Sequence, residues 1–281
     1  MRPFAAGREL APGYEVIEHL ARSNVLDVYD VWSHARSCRC VAKLLRPDRR
    51  DDARAKRGLL REGHLLARLC HLHLVRGYET LEAPLPAIVM ERLRGETVGH
   101  LVERRCKRLS SVELGHLGVH LCSAVAYLHR EGILYLDLKP SNVIAESGRA
   151  KIIDLSLARP PGEMKPGIGT WCYMAPEQAR GGEVGAAADV WGIGGVLYEA
   201  ATGLAPFDQD DDADFEFPSL ERAAHRVGRD RRLPPGLAAA IDASLAADPG
   251  DRPTAVELGV ACELAAGLPP HERRFAEAVA A

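Results

Sequence analysis

The sequence lacks any long apolar run. No stretch approaches the roughly 20 residues that a helix needs to cross a bilayer. The opening segment, MRPFAAGREL, also lacks the apolar core of a signal peptide. We therefore expect a soluble chain without a membrane segment.

The chain has little excess charge of either sign. Its 36 Lys and Arg residues nearly balance 39 Asp and Glu residues, which gives a formal net charge of −3. Nucleic acid is therefore not an expected partner, because proteins that bind its phosphates usually carry a basic excess. With 281 residues, 47% of them hydrophobic, the chain can bury a sizeable core as one two-part domain or as two small ones.

Cysteines are scattered and odd in number, with seven in the whole chain. This pattern argues against a disulfide framework and against a closed zinc site. Cys38 and Cys40 lie close together in sequence, but two thiols alone do not complete a metal site, and ordinary reduced thiols are favoured. Reduced thiols predict a cytoplasmic location.

Residues 1–95 are predicted to form a small, mainly β unit. Apolar alternation indicates two strands within residues 14–31 and further strands at residues 39–45, 76–81 and 87–90. One helix interrupts them and carries Leu59, Leu66 and Leu69 on one face.

Two charged residues of this unit lie in apolar surroundings. Glu62 shares the apolar face of the predicted helix, and Lys43 lies inside an apolar strand segment. A buried charge costs several kcal/mol unless an opposite charge pairs with it. We therefore predict an ion pair between Lys43 and Glu62.

Helical periodicity dominates residues 96–266 and predicts a second unit, followed by a tail at residues 267–281. Ser110 and Glu113 form a capping-box pattern before a long helix. Three more helices are predicted at residues 189–202, 237–245 and 255–264. The acidic run at residues 208–214 is interpreted as a solvated loop, with a docking patch for basic partners as the alternative.

A group of polar residues on predicted turns carries chemistry. Asp137, Lys139, Asn142 and Asp154 supply three oxygen ligands and one cation within a short stretch. Phosphoryl transfer needs such a set: oxygens for Mg²⁺, a carboxylate to accept the proton of the nucleophile, and cations near the phosphates. An isolated Asp-x-Lys would indicate only a surface turn, but the combination favours phosphoryl transfer.

The chain resembles the protein kinase family from about residue 14 to residue 264. The matching segments are 137–142 (DLKPSN, the catalytic loop), 154–156 (DLS, the Asp-Phe-Gly metal motif), 169–177 (GTWCYMAPE, the end of the activation segment), 189–192 (DVWG, a buried helix) and 251–253 (DRP, with an arginine that pairs with Glu177). The resemblance implies an α+β, bilobed fold, with a small antiparallel sheet and one helix before a larger, mainly helical lobe.

The resemblance implies roles for the charged residues. Lys43 would hold the α- and β-phosphates of ATP and would be oriented by Glu62, while Asn142 and Asp154 would ligate Mg²⁺ or Mn²⁺. The implied partners are ATP and a protein substrate.

Three further residues would act on the reacting groups. Asp137 would accept the proton of the substrate hydroxyl, and Lys139 would neutralise charge on the transferred phosphoryl group. Thr170 would hydrogen-bond both. Lys139 and Thr170 resemble the serine/threonine branch of the family, and residues 173–178 (YMAPEQ) resemble its bacterial members.

The resemblance also implies these adenine contacts: a gatekeeper side chain at Met90, backbone hydrogen bonds from Glu91 and Leu93, and apolar walls from Val28, Ala42 and Ile144. Taken alone, these side chains would be ordinary strand and core positions.

The phosphate loop departs from the family pattern Gly-x-Gly-x-x-Gly-x-Val. Ala21, Ser23 and Leu26 occupy the glycine positions, and Val28 is kept. Side chains there keep backbone N–H groups from the phosphates, so we expect an altered loop or weaker nucleotide binding, with Ala21 and Ser23 still beside the nucleotide. Arg22 and Ser23 are expected either to reach the phosphates or to face solvent.

The activation segment also departs from the pattern. Leu136 replaces the arginine that receives an activating phosphate, and residues 157–169 (LARPPGEMKPGIG) contain no serine, threonine or tyrosine. We therefore predict activity without activation-loop phosphorylation. Packing through Met164, Pro166 and Ile168 would order the segment, unless a partner protein or the substrate does so.

Two alternatives remain at this point. The lost glycines, together with Ser156 in the metal motif, are compatible with a pseudokinase that acts as a nucleotide-binding or scaffold module. A small-molecule phosphotransferase of related fold is the other. The retained ligand set argues against the first alternative, and the segments at residues 175–177 and 189–192 favour a protein substrate over the second.

Overall fold

The structure is a computed structural model that describes residues 2–83, 85–105, 108–207 and 216–275. The predicted acidic loop at residues 208–214 lies outside the described residues. The chain divides into two compact units, Met1–Arg94 and Gly95–Ala281. The predicted α+β class, with a sheet-rich first part and a mainly helical second part, is confirmed.

The first unit is a six-stranded antiparallel sheet with one helix. Its elements are β1 (Glu9–Ala11), β2 (Tyr14–Arg22), β3 (Leu26–Ser33), β4 (Cys38–Leu45), α1 (Ala53–Arg68), β5 (Gly77–Leu81) and β6 (Ala87–Glu91). The strand order is β1-β2-β3-β4-β6-β5. The sequence predicted all of these elements except β1, whose three residues are too few to show a period.

Helix α1 lies close against the sheet. Asp52 caps its N-terminus by accepting hydrogen bonds from two backbone N–H groups. Its buried face includes Leu59, Glu62 and Gly63. A Cβ atom added to Gly63 would lie 2.4 Å from Oγ1 of Thr80 on β5, so only glycine permits this approach.

The second unit is mainly helical. Its helices are α2 (Val98–Arg105), α3 (Ser111–Arg130), α4 (Pro176–Arg180), α5 (Ala187–Thr202), α6 (Pro218–Glu221), α7 (Val227–Asp230), α8 (Pro235–Ser244) and α9 (Ala255–Ala265). Its strands are β7 (Glu96–Thr97), β8 (Val143–Glu146), β9 (Arg149–Ile152), β10 (Gly162–Met164) and β11 (Gly182–Val184). They form a three-stranded sheet, β7-β8-β9, and a pair, β10-β11.

Helix α5 forms the centre of the second unit and is buried along almost its whole length. Gly203 ends it in the left-handed conformation, with φ of 81°. Helix α3 begins at the predicted capping box of Ser110 and Glu113 and packs against α9. None of the helices in the described part of the chain is both long and apolar enough to cross a membrane.

Candidate active site

The predicted ion pair of the first unit is present. Nζ of Lys43 lies 2.9 Å from both carboxylate oxygens of Glu62. Lys43 is 7% exposed and Glu62 is 2% exposed. Strand β4 supplies the lysine and α1 the carboxylate, and each charge offsets the cost of burying the other.

The face of the sheet that carries Lys43 also carries Val28 and Ile88, its cross-strand neighbours. Ala42, which was predicted to form an apolar wall beside adenine together with Val28, lies on the opposite face, so that prediction is wrong. Neighbouring residues of a strand point to opposite faces, and Ala42 is buried with Tyr29 in the core on the other side of the sheet.

Val41 holds the position that sequence reasoning gave to Ala42. It lies two residues before Lys43 and therefore on the same face. It pairs with Met90 on β6, which places the predicted gatekeeper on the Lys43 face as well.

The turn between β2 and β3 replaces the glycine loop. Ser23 Oγ accepts hydrogen bonds from the N–H groups of Val25 (3.3 Å) and Leu26 (2.9 Å). Ser23 therefore closes the turn with its own side chain. Ala21 pairs with Val28 across the turn and is exposed.

Arg22 is exposed, and its guanidinium binds a neighbouring carboxylate. Its Nε and Nη2 atoms donate to the two carboxylate oxygens of Asp27 at 2.7 and 2.8 Å. Asp27 is fully buried and also contacts His19 at 2.9 Å. Burial acts to raise the pKa of Asp27, but the hydrogen bonds from Arg22 and His19 outweigh it and lower that pKa.

The end of β6 is fixed by its neighbours. The N–H of Glu91 donates to the carbonyl of Arg76 at 2.9 Å. Arg92 pairs with buried Asp30 on β3. Leu93 is half-buried and follows Arg92 directly. The backbone predicted to bind adenine is therefore held in place where it leaves strand β6.

The second unit brings three predicted site residues into contact with Asp137, which is itself a predicted site residue. Thr170 Oγ1 donates to Asp137 Oδ1 at 2.5 Å, and Lys139 Nζ donates to Asp137 Oδ2 at 2.9 Å. Lys139 also lies 2.6 Å from Thr170 Oγ1. Asn142 Nδ2 donates to the backbone carbonyl of Asp137 at 2.9 Å. The predicted contacts of Thr170 with both residues are confirmed.

The donor set suits a hard divalent cation. The amide nitrogen of Asn142 is directed to Asp137, so its Oδ1 faces away from that bond. The N–H of Ile153 donates to the carbonyl of Asn142, which brings the next residue, Asp154, beside it. Mg²⁺ prefers such amide and carboxylate oxygens. Asn142 and Asp154 thus offer oxygen atoms of the type that a hard divalent cation prefers. Ile144 follows on β8.

The residue before Asp137 has an unusual backbone. Leu136 has φ of 68°, a left-handed conformation that costs roughly 1–2 kcal/mol for a residue with a side chain. Asp189 on α5 offsets this cost, since its two oxygens accept hydrogen bonds from the N–H groups of Tyr135 and Leu136 at 2.8 and 2.7 Å. The strain therefore lies directly beside the candidate base.

A family model described as the protein kinase domain matches residues 14–260. The chain belongs to the protein kinase family. The match begins at the first residue of β2 and ends within α9, so it includes both units.

Curated relatives of this kinase domain include proteins of Mycobacterium and Streptomyces species. Serine/threonine-protein kinase PknB of Mycobacterium tuberculosis is 33% identical over 273 residues, which cover 89% of this chain and 42% of that protein. PknB of Mycobacterium leprae is 32% identical, over 78% of this chain and 37% of that protein. A protein of Streptomyces coelicolor named a probable serine/threonine-protein kinase is 32% identical, over 71% of this chain and 32% of that protein. The kinase domain thus spans between about a third and two fifths of the length of these relatives.

The activation segment of this kinase domain is ordered by contacts within its own unit. Strand β10 pairs with β11, and Met164 is 9% exposed. Pro166 lies so close to Gly181 that an added Cβ atom would meet its Cδ at 2.8 Å. Ile168 contributes its carbonyl, which accepts a hydrogen bond from Gln178 Nε2 at 2.7 Å.

The end of the segment is fixed to the C-terminal part of the kinase domain. Arg252 donates to the two carboxylate oxygens of Glu177 at 2.7 and 2.9 Å. Its guanidinium carbon also lies 4.9 Å from the ring centroid of Trp191. The predicted pair of Glu177 and Arg252 is therefore confirmed.

Sequence reasoning missed two residues of this site. Asp27 was not singled out, although a carboxylate next to Val28 in a strand called for a partner. Gln178 ends the segment YMAPEQ at residues 173–178, and no local pattern signals its contacts, which reach Leu136.

Proposed function

We propose that this chain is a serine/threonine protein kinase domain, which transfers the γ-phosphate of ATP to serine or threonine hydroxyls of a protein. The observation that carries the proposal is the cluster around Asp137, in which Lys139 and Thr170 hold one carboxylate. The names of the bacterial relatives support the serine/threonine class.

The residues of the chain would divide the chemistry as follows. Asp137 is the one carboxylate of the cluster and would accept the hydroxyl proton of the substrate. Lys139, held between Asp137 and Thr170, would offset negative charge that develops on the transferred group. Lys43, paired with Glu62, would bind the phosphates of ATP. Mg²⁺, or Mn²⁺, would supply further charge neutralisation and be held by Asn142 and Asp154.

A pseudokinase would not need this arrangement. Two buried or half-buried ion pairs, Lys43–Glu62 and Lys139–Asp137, are retained with the metal-binding residue types. Such groups are costly to keep unless they act on a ligand. The proposal therefore favours catalysis, and it places the domain in the cytoplasm, where ATP and Mg²⁺ are available.

Activity is proposed to be independent of activation-loop phosphorylation. Leu136 offers no guanidinium to a phosphate, and the contacts of Met164, Pro166 and Ile168 support an ordered segment without one.

The test is transfer of labelled phosphate to a generic protein substrate with Mg²⁺ or Mn²⁺. The native domain is compared with Asp137→Asn and Asp154→Asn, which keep the shape of each side chain but remove its charge. We expect labelled phosphoserine and phosphothreonine with the native domain alone. Equal labelling by native and Asp137→Asn proteins would refute the proposal.

A further inference from the structure

A single buried side chain, Gln178, connects the catalytic loop to the activation segment. It is 2% exposed and lies on α4, directly after Glu177. Its Nε2 donates two hydrogen bonds, to the carbonyl of Leu136 at 2.9 Å and to the carbonyl of Ile168 at 2.7 Å. We call this pair of bonds the Gln178 bridge.

The other polar groups of Gln178 are also used. Its Oε1 accepts a hydrogen bond from the N–H of Ala175 at 3.2 Å, and its backbone carbonyl accepts one from Gly167 at 2.9 Å. A primary amide has two N–H donors and one carbonyl acceptor. The surroundings of Gln178, with two carbonyls and one N–H, match that set, which among side chains only glutamine and the shorter asparagine offer.

The Gln178 bridge ends on both sides of the Asp137–Thr170 contact. Leu136 immediately precedes Asp137, and its strained backbone is held on the N–H side by Asp189 and on the carbonyl side by Gln178. Ile168 lies two residues before Thr170. The amide therefore fixes the spacing between the two chain segments whose side chains meet at Oδ1 of Asp137.

We propose that Gln178 is a positioning residue that aligns Asp137 with Thr170. Its amide holds the activation segment in place, as an ion pair between a phosphate and an arginine would do. The inference rests on the proposed kinase function. Gln178 is not a catalytic residue, because it bonds only to the backbone. Its loss is expected to lower kcat and leave KM for ATP unchanged, since the groups assigned to ATP lie elsewhere.

The first test compares Gln178→Leu with Gln178→Glu and with Glu183→Gln, a matched control at the exposed position of β11. Gln178→Leu removes both donors, and we expect kcat to fall roughly tenfold or more with KM for ATP unchanged within about twofold. Glu183→Gln should behave as native. Native kcat in Gln178→Leu, or a change confined to KM for ATP, would overturn the proposal.

The second test uses the pH profile of Gln178→Glu. The introduced carboxylate would face two carbonyl oxygens in a buried place, so its pKa would lie above the ordinary value. Once protonated it has one O–H donor and restores one bond of the bridge. The kcat of this variant, divided by that of the native domain at the same pH, should therefore rise as the pH falls. The acidic neighbours Asp137, Glu177 and Asp189 are the same in both proteins, and the division removes the pH dependence of kcat that the two proteins share. A constant ratio would contradict the proposal.

Hydrogen exchange separates this proposal from the proposed function. Backbone N–H groups of residues 165–173 should exchange faster in Gln178→Leu than in native or Glu183→Gln protein. If the native domain transfers no phosphate yet exchange rises as stated, the kinase assignment fails and the bridge stands. If the native domain is active and neither exchange nor kcat changes, the bridge is wrong. Melting temperatures of the variants identify a general loss of folding.

Discussion

Thr170 donates a hydrogen bond of 2.5 Å to Oδ1 of Asp137, and its own oxygen accepts one of 2.6 Å from Lys139. The hydroxyl thus lies between the candidate base and the candidate phosphate-binding cation. It fixes the carboxylate orientation, which leaves Oδ2 with Lys139 and Asn142. Loss of this single oxygen should therefore disturb the chemistry more than the fold.

We expect Thr170→Ala to lower kcat by roughly 10- to 100-fold, which corresponds to the loss of one charge-assisted hydrogen bond. Thr170→Ser keeps the hydroxyl and should retain most of the activity. Thr170→Glu should not restore activity, because a second carboxylate would repel Asp137. Steady-state kinetics with a generic protein substrate measure all three. A Thr170→Glu variant more active than native would instead identify Thr170 as an activating phosphosite.

The buried pair of Lys43 and Glu62 affects both stability and activity. Lys43→Met leaves Glu62, 2% exposed, without its cation, and we expect a loss of roughly 3–5 kcal/mol in the free energy of unfolding. The double variant Lys43→Met/Glu62→Leu should recover most of this stability, since neither charge remains. Both variants should lack phosphate transfer. Denaturant unfolding and labelled ATP provide the two measurements.

Recovery of activity in the double variant would show that Lys43 is needed only for folding. This outcome would contradict its proposed contact with the phosphates of ATP. Recovery of stability without recovery of phosphate transfer would show that the pair is needed for the reaction itself and not only for folding.

The sequence predicted this pair because charge and burial conflict locally. Lys43 in an apolar strand and Glu62 on an apolar helix face each required an oppositely charged partner. Each residue could supply the charge that the other needed. Local patterns also located helices α1, α3, α5, α8 and α9, since their periods and caps, such as Ser110 with Glu113, are visible within a few residues. The shorter helices α2, α4, α6 and α7 were not predicted. Local patterns thus predicted most strands of the first unit and most of the longer helices.

Contacts between distant backbone groups could not be predicted in this way. Gln178 donates a hydrogen bond to the backbone carbonyl of Leu136, 42 residues earlier. Every residue has such a carbonyl, so the sequence does not indicate which one accepts the bond. The error at Ala42 had a different cause. Neighbouring residues of a strand point to opposite faces, so Ala42 cannot lie on the face of Lys43. The residue that takes the predicted place of Ala42 is Val41, one position earlier in the sequence.

The pair of Glu177 and Arg252 should dominate the stability of the second unit. The side chain of Arg252 is fully buried, and that of Glu177 is 8% exposed. Arg252→Met would leave the carboxylate unpaired, and we expect a loss of roughly 3–5 kcal/mol in the free energy of unfolding. Arg180→Met, at an exposed position of α4, is the matched control and should change little. Chemical denaturation tests both, and equal effects would contradict the burial argument.

The buried carboxylate of Asp27 predicts an acid-sensitive first unit. Because Arg22 and His19 lower its pKa against the effect of burial, the stabilisation is present above the unfolded value near 3.9 and is lost as the pH falls through the lower folded pKa. Arg22→Met should raise this pKa, so the melting temperature should begin to fall at a higher pH than in the native protein. Arg57→Met, at an exposed position of α1 in the same unit, is the control.

The same variant tests the turn that replaces the glycine loop. If the guanidinium of Arg22 serves Asp27, ATP affinity measured at pH 7.5 should be unchanged within about twofold in Arg22→Met. A large loss of ATP affinity with an unchanged acid profile would show that Arg22 binds the phosphates instead.

The last prediction concerns regulation and follows from Leu136. A phosphate in the activation segment acts by pairing with an arginine at this position, and leucine, 3% exposed, cannot form such a bond. Residues 157–169 contain no hydroxyl, and Tyr173 is already bonded to Glu199, so an added phosphate there would meet a carboxylate. Protein produced with a phosphatase should therefore keep native kcat within about twofold. Mass spectrometry should find no phosphate on Thr170 or Tyr173 in the active protein. A tenfold fall in kcat that accompanies the loss of phosphate from either residue would show that the segment is switched by phosphorylation after all.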